Sequence, residues 1–184
     1  MAKKTIIHRA EQYAEDVRSG KQIACHWVRQ AVGRYYNDLD NAVEKGWYFD
    51  RQAAERAINF VERLRHVVGR WGGAYIVLEP WQCFILWNIF GWKMSATNTR
   101  RFTDAYVEVA RKNGKTTLAS AIALYMEFAD KEVGAEVYSV ATTRDQARIC
   151  FDYAQKMVRA SGLKSYAVLT RDAIAFERLG ATYK

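Results

Sequence analysis

The stretch AYVEVARKNGKTTLASAIALYMEFA, from Ala105 to Ala129, decides how the rest of the chain is read. Its centre ends like a phosphate-binding loop, with Gly114, Lys115 and Thr116 in the order that G-x-x-x-x-G-K-[ST] requires. The glycine that opens that pattern is absent, and Val109 stands in its place. A β-branched residue does not adopt positive φ cheaply, so a loop here must begin differently, with small Ala110 giving room and Arg111 adding charge. A G-K-[ST] tripeptide alone is a weak signal, because composition puts one in about one chain in ten of this length. Its context strengthens it. The preceding RRFTDAYVEVA reads as a strand, and Leu118, Ala119, Ile122, Ala123, Tyr125, Met126 and Ala129 fall on one broad helical face. In that setting the unpaired N–H groups of a helix N-terminus, with the helix dipole behind them, face a phosphate. Lys115 then neutralises phosphate charge, the Thr116 hydroxyl ligates Mg2+, and Arg111 and Lys112 add two cations. A solvated basic turn at the head of a helix is the competing reading.

Outward from the loop, AEVYSVA (Ala135–Ala141) reads as a second strand, Asp145 to Ala160 as a second helix, and AIAF (Ala173–Phe176) as a third strand. Strand, helix, strand, helix, strand predicts an α/β fold with a parallel sheet and crossover helices. Upstream, YIVLEPWQCFILWNIFGW reads as a short extended piece and then a helix with Pro80 at its first position, where the missing N–H would be unpaired anyway. Earlier still, only helical periods are visible. One stripe runs Ile6, Ala10, Tyr13, Ala14, Val17; a second Ala24, Trp27, Val28, Ala31, Tyr35; a third, behind an Asp50 N-cap, Ala54, Ala57, Ile58, Val61, Leu64, Val68. The expected organisation is an all-helical N-terminal appendage over residues 1–73 and an α/β core over residues 74–184.

The 184 residues suffice for one such core plus an appendage, and half of them are hydrophobic at secondary-structure spacings, which excludes a disordered chain. A net charge of +8 favours a polyanionic partner such as nucleic acid or an acidic protein. Cys25, Cys83 and Cys150 are scattered and odd in number, as in a reduced intracellular chain, and His8, His26 and His66 form no metal-ligand spacing. The amino terminus becomes charged within a few residues, unlike a signal peptide, and no apolar run reaches the ~20 residues of a membrane span. A cytoplasmic location without a membrane is expected.

Two further places suit a nucleotide. Gln82, in EPWQ, carries both a donor and an acceptor for an adenine edge, although a glutamine on a helix surface is commonplace. Arg144 and Arg148 lie one turn apart in ATTRDQAR, just after a strand, where ligand-facing residues of open parallel sheets collect.

LEPWQCFILWNIFGW, RRFTDAYVEVARKNGKTTLASAIALY and GAEVYSVATTRDQARICFDYAQKMV, in that order, resemble the large terminase subunit of tailed bacteriophages and prophages, from about Leu78 to Lys184. The resemblance implies a P-loop NTPase core of the additional-strand, RecA-like kind, here incomplete, in an ATP-driven motor that moves double-stranded DNA into a procapsid. It implies ATP and Mg2+ as cofactors, a homo-oligomeric ring, and the small terminase subunit and portal protein as partners. Gln82 matches the adenine-recognising motif. Ala110, Arg111, Lys112, Asn113, Gly114, Lys115 and Thr116, with Thr117 adjoining, match a deviant Walker A loop. Lys115 and Arg111 take catalytic roles there, Arg111 as a finger within the subunit, and Arg148 matches a finger toward the neighbouring one. The family's Walker B strand, ending Asp-Glu, should follow residue 184, because YAVLTRD (Tyr166–Asp172) holds no such pair. The metal-dependent nuclease domain should follow it in turn, so an amino-terminal fragment that binds nucleotide without running the motor is expected. Two other readings stay open: a fragment of a superfamily 2 helicase, and a DNA- or partner-binding module with a vestigial loop.

Overall fold

A computed structural model describes residues 8–184 of the chain, so Ile6 of the first stripe lies outside the described residues. The chain divides into two compact units, each discontinuous in sequence: Met1–Ile58 with Leu78–Tyr106, and Asn59–Val77 with Val107–Lys184.

The first unit holds α1 (Arg9–Arg18), α2 (His26–Asn41), β1 (Trp47–Phe49), the start of α3 (Arg51–Glu62), α4 (Pro80–Gly91) and β2 (Trp92–Met94). Asp50 caps α3 by accepting from the Ala53 N–H at 2.9 Å, and Pro80 opens α4, both as the sequence predicts. Helix α4 is apolar nearly all round and correspondingly buried, with Cys83, Phe84, Leu86, Trp87 and Phe90 in the core beside Ala10, Ala14 and Val17 of α1. Polar tips inside this aromatic core are satisfied: Trp87 Nε1 donates to Tyr35 Oη at 3.1 Å, and Trp92 Nε1 to Asn88 Oδ1 at 3.3 Å.

One expectation fails here. The N-terminal region is not all helical, because β1 pairs antiparallel with β2, Trp47 opposite Met94 and Phe49 opposite Trp92. A three-residue strand shows no alternation to read, and what closes this ribbon is tertiary. Asp50 N–H donates to Gly91 O at 2.7 Å, and Gly91 is required because a Cβ there would stand 2.5 Å from the Phe49 ring.

The second unit contains α5 (Lys115–Phe128), β3 (Glu136–Val137), α6 (Arg144–Ala160), β4 (Val168–Leu169), β5 (Ile174–Phe176) and β6 (Ala181–Tyr183). Helices α5 and α6 pack on each other, and α5 packs on a sheet of order β3-β6-β5-β4. Leu118, Ala121, Leu124, Phe151, Ala154, Met157, Ile174 and Tyr183 are buried there. In this sheet β3 and β6 pair in parallel, and β5 is antiparallel to both its neighbours. The fold is mixed α/β with small sheets, as expected in class, but the strand at Ala173–Phe176 runs against the predicted parallel direction. A tight turn explains this: Thr170 N–H donates to Ala173 O at 2.9 Å, folding β4 and β5 into a hairpin. The residues read as a leading strand, RRFTDAYVEVA, form no ladder among the described residues, apart from one bridge of Arg100 to Lys93, and the chain bends at Arg101 and Thr103.

Candidate nucleotide-binding loop

The loop occupies residues 110–114, between a stretch with neither helix nor strand and α5. Val109 is half-buried and needs no left-handed backbone; the two positive φ angles fall later, at Lys112 (67°) and Gly114 (73°). The missing first glycine is thereby explained, since the turn is made three and five residues downstream of it. Gly114, the N-cap of α5, adopts its angle without a Cβ, whereas Lys112 holds a side chain in a region costing about 1 kcal/mol. Asn113 braces the turn from within, its Nδ2 donating toward the carbonyls of Ala110 and Arg111 at 3.3 Å each. Lys115 folds back so that its Nζ lies 3.5 Å from Val109 O.

The electrostatics of this segment are unbalanced. The first N–H with an intrahelical acceptor is that of Leu118, which donates to Gly114 O at 2.9 Å. Among the described residues nothing accepts from the N–H groups of Lys115, Thr116 and Thr117, as at any helix N-terminus without a side-chain cap. Arg111, Lys112 and Lys115 are exposed, no carboxylate among the described residues pairs with them, and the first turn of α5 carries no acid. Three cations and three unpaired N–H groups fit a polyphosphate in both charge and donor type. The Thr116 hydroxyl is also without a partner among the described residues and suits a Mg2+ ion beside the phosphates.

Beneath the loop, Ser120 Oγ lies 2.8 Å from the carbonyl oxygens of both Thr116 and Cys150, tying the first turn of α5 to α6. Sequence reading missed this pair; the available signal was a serine on the apolar face of α5.

The other predicted residues belong to other elements. Gln82 belongs to the other compact unit, where its Oε1 accepts from the Glu79 N–H at 3.0 Å and so helps cap α4. Arg148 is braced by Asp152 at 3.5 Å, by Asp172 at 3.3 Å and by the carbonyl of Arg171 at 3.2 Å, and Arg144 reaches Asp172 at 3.6 Å. One conspicuous residue was not anticipated. Glu127 of α5 is fully buried and its two carboxylate oxygens have no hydrogen-bond partner among the described residues; burial pushes its pKa up to about 8.

Comparison with known proteins bears on the family. The family of the terminase large subunit, ATPase domain, matches residues 80–175, more than half of the chain and inclusive of the whole loop. The crystal structure of the HK97 bacteriophage large terminase superposes with a TM-score of 0.58 at 28% identity, covering 71% of this chain. The match covers 26% of the HK97 chain, so this protein spans about a quarter of that terminase's length. No curated protein matches it. The chain belongs to the terminase large subunit ATPase domain family.

Proposed function

We propose that this chain carries the ATP-binding loop of a viral DNA-packaging motor, with residues 110–117 holding the triphosphate. The carrying observation is the cluster of acid-free cations and unpaired N–H groups at the head of α5, inside the stretch that matches the terminase family. In this reading the N–H groups of Lys115, Thr116 and Thr117 bind phosphate oxygens, and the Lys115 ammonium leaves the Val109 carbonyl for them. Ala110, Asn113 and Gly114 shape the turn, and Arg111 and Lys112 supply charge from its rim, Arg111 nearest the transferred phosphoryl group. Thr116 holds Mg2+, which supplies charge neutralisation on the phosphates. Gln82 recognises adenine through the amide group that capping leaves available. Arg148 serves a neighbouring subunit only after exchanging its pairing with Asp172.

The parent protein, on this proposal, is a P-loop ATPase with an additional nuclease domain. It works as a ring, couples hydrolysis to translocation of double-stranded DNA, and acts with a small terminase subunit and a portal protein in the host cytoplasm. The described residues contain no helix long and apolar enough to cross a membrane. The family match favours this reading over a helicase fragment. Titration of fluorescent ATP with Mg2+ tests the loop assignment. Binding that falls at least tenfold in Lys115→Ala supports it, and equal binding by both chains contradicts it.

A further inference from the structure

A cavity of about 690 Å3 lies within the second unit, walled by Glu62, Arg63, Arg65 and Tyr75 and by Ala160, Ser161 and Gly162 at the end of α6. Residues 63–75 and 156–164 run through these walls. They carry Arg63, Arg65, Arg70, Lys156, Arg159 and Lys164, and no Asp or Glu. None of the six makes an ion pair among the described residues, with Glu62 or with any other acid. Positive charge left unanswered at this density favours an anionic occupant. Arg65 is already positioned for one. Its guanidinium stacks on the Tyr75 ring at 4.2 Å, and its Nη1 donates to Gly73 O at 2.6 Å, which leaves further N–H donors for a carboxylate.

Backbone geometry beside the cavity narrows the kind of anion. Residues 64–66 and 74–76 form a short antiparallel ribbon, in which His66 N–H donates to Ala74 O at 2.8 Å and Ile76 N–H to Leu64 O at 2.9 Å. Those bonds flank the Arg65–Tyr75 pair, so each of these two residues turns its own N–H and C=O outward from the ribbon. The Arg65 edge is covered, because the Arg65 N–H donates to Ser161 Oγ at 2.8 Å. The Tyr75 edge is open. The Tyr75 N–H and C=O and the Val77 N–H have no partner among the described residues, and the two side chains are 57% and 74% exposed. We propose that the Tyr75 edge and the adjoining cationic cavity bind an acidic segment of a partner protein, added to the ribbon as an antiparallel strand. Alternating donors and acceptors along an open edge are matched by another peptide strand, whereas a phosphate chain would set oxyanions against the Tyr75 carbonyl. A residue placed opposite Tyr75 exchanges both backbone bonds with it and carries its side chain on the face that Tyr75 shares with Arg65. Acids at every second residue of the added strand therefore meet the cations. The site shares no residue with the nucleotide loop.

The test is fluorescence anisotropy of a labelled peptide of alternating Glu and Thr with the 184-residue chain, without nucleotide. Two further copies keep every carboxylate, one N-methylated at each Glu and the other at each Thr. The expected result is saturable binding of the plain peptide, about tenfold weaker binding of the copy methylated at Glu, and unchanged binding of the copy methylated at Thr. Only the Glu N–H groups face the ribbon in the antiparallel strand. Arg63→Glu, at an exposed side chain, should weaken the plain peptide about tenfold while leaving urea unfolding unchanged. Because the decisive comparison alters the probe and not the protein, loss of structure cannot imitate it. Absence of saturable binding by the plain peptide, or equal binding by the two methylated copies, overturns the proposal. So does displacement of the peptide by duplex DNA whose own affinity falls equally in Arg63→Glu, which would assign the cations to nucleic acid.

Discussion

At Lys112 the loop carries strain that its sequence does not announce. A non-glycine residue at φ 67° is held there by the Asn113 amide bonds and by the turn into Gly114. Lys112→Gly should raise stability by about 1 kcal/mol in urea unfolding, since glycine enters the left-handed region freely. It should at the same time weaken ATP binding, because one of three acid-free cations is lost. Gly114→Ala should do the opposite to the fold, forcing a Cβ into the left-handed N-cap and lowering both stability and nucleotide affinity. The Gly-Lys-Thr order and its place before a helix were legible in the residues. The positions of positive φ were not, because a lysine gives no sign that it will take a glycine's angle, and so Val109 drew attention that Lys112 warranted.

The helices and the short strands differ in how plainly they are written. Helices α5 and α6 follow their apolar periods to within a residue or two, and α3 and α4 begin where Asp50 and Pro80 place them. The strands of two or three residues do not, because their pairing depends on partners distant in sequence: β1 on β2 some forty residues later, and β3 on β6. Gly91 is the test of the first pairing. Gly91→Ala sets a methyl group against the Phe49 ring and should cost about 1–3 kcal/mol in thermal or urea unfolding. In α5, Glu127 breaks the apolar pattern, buried without a partner in the last turn, where the helix dipole also disfavours negative charge. Its carboxyl titrates at about 8 when folded, against an ordinary value of 4.5. Between those pH values the folded chain keeps a proton that the unfolded chain has released. Stability contributed by the protonated form is therefore complete below pH 4.5, falls by about 1.4 kcal/mol per pH unit above it, and is lost beyond pH 8. Glu127→Gln should flatten that slope and be the more stable chain at pH 8; an unchanged slope would place the titration elsewhere.

Across the whole molecule, the compact units do not follow the order of the chain. Leu78–Tyr106 joins the N-terminal helices, although the sequence changes character near residue 74, and Asn59–Val77 joins the unit that holds the loop. Periodicity reports which face of an element is apolar, not which unit will cover it, and the aromatic core around Trp87 and Tyr35 is what draws α4 to α1 and α2. Gln82→Glu should lower affinity for ATP severalfold while leaving affinity for inorganic triphosphate nearly unchanged, because only the adenine contact is altered. The central claim is that the head of α5 receives the phosphates. Its most direct test is an amide-resolved NMR titration of the chain with ATP and Mg2+. The account predicts that the N–H signals of Gly114, Lys115, Thr116 and Thr117 shift together, saturably, and lose that response in Lys115→Ala. Saturable shifts elsewhere, with these four amides unmoved, would contradict it.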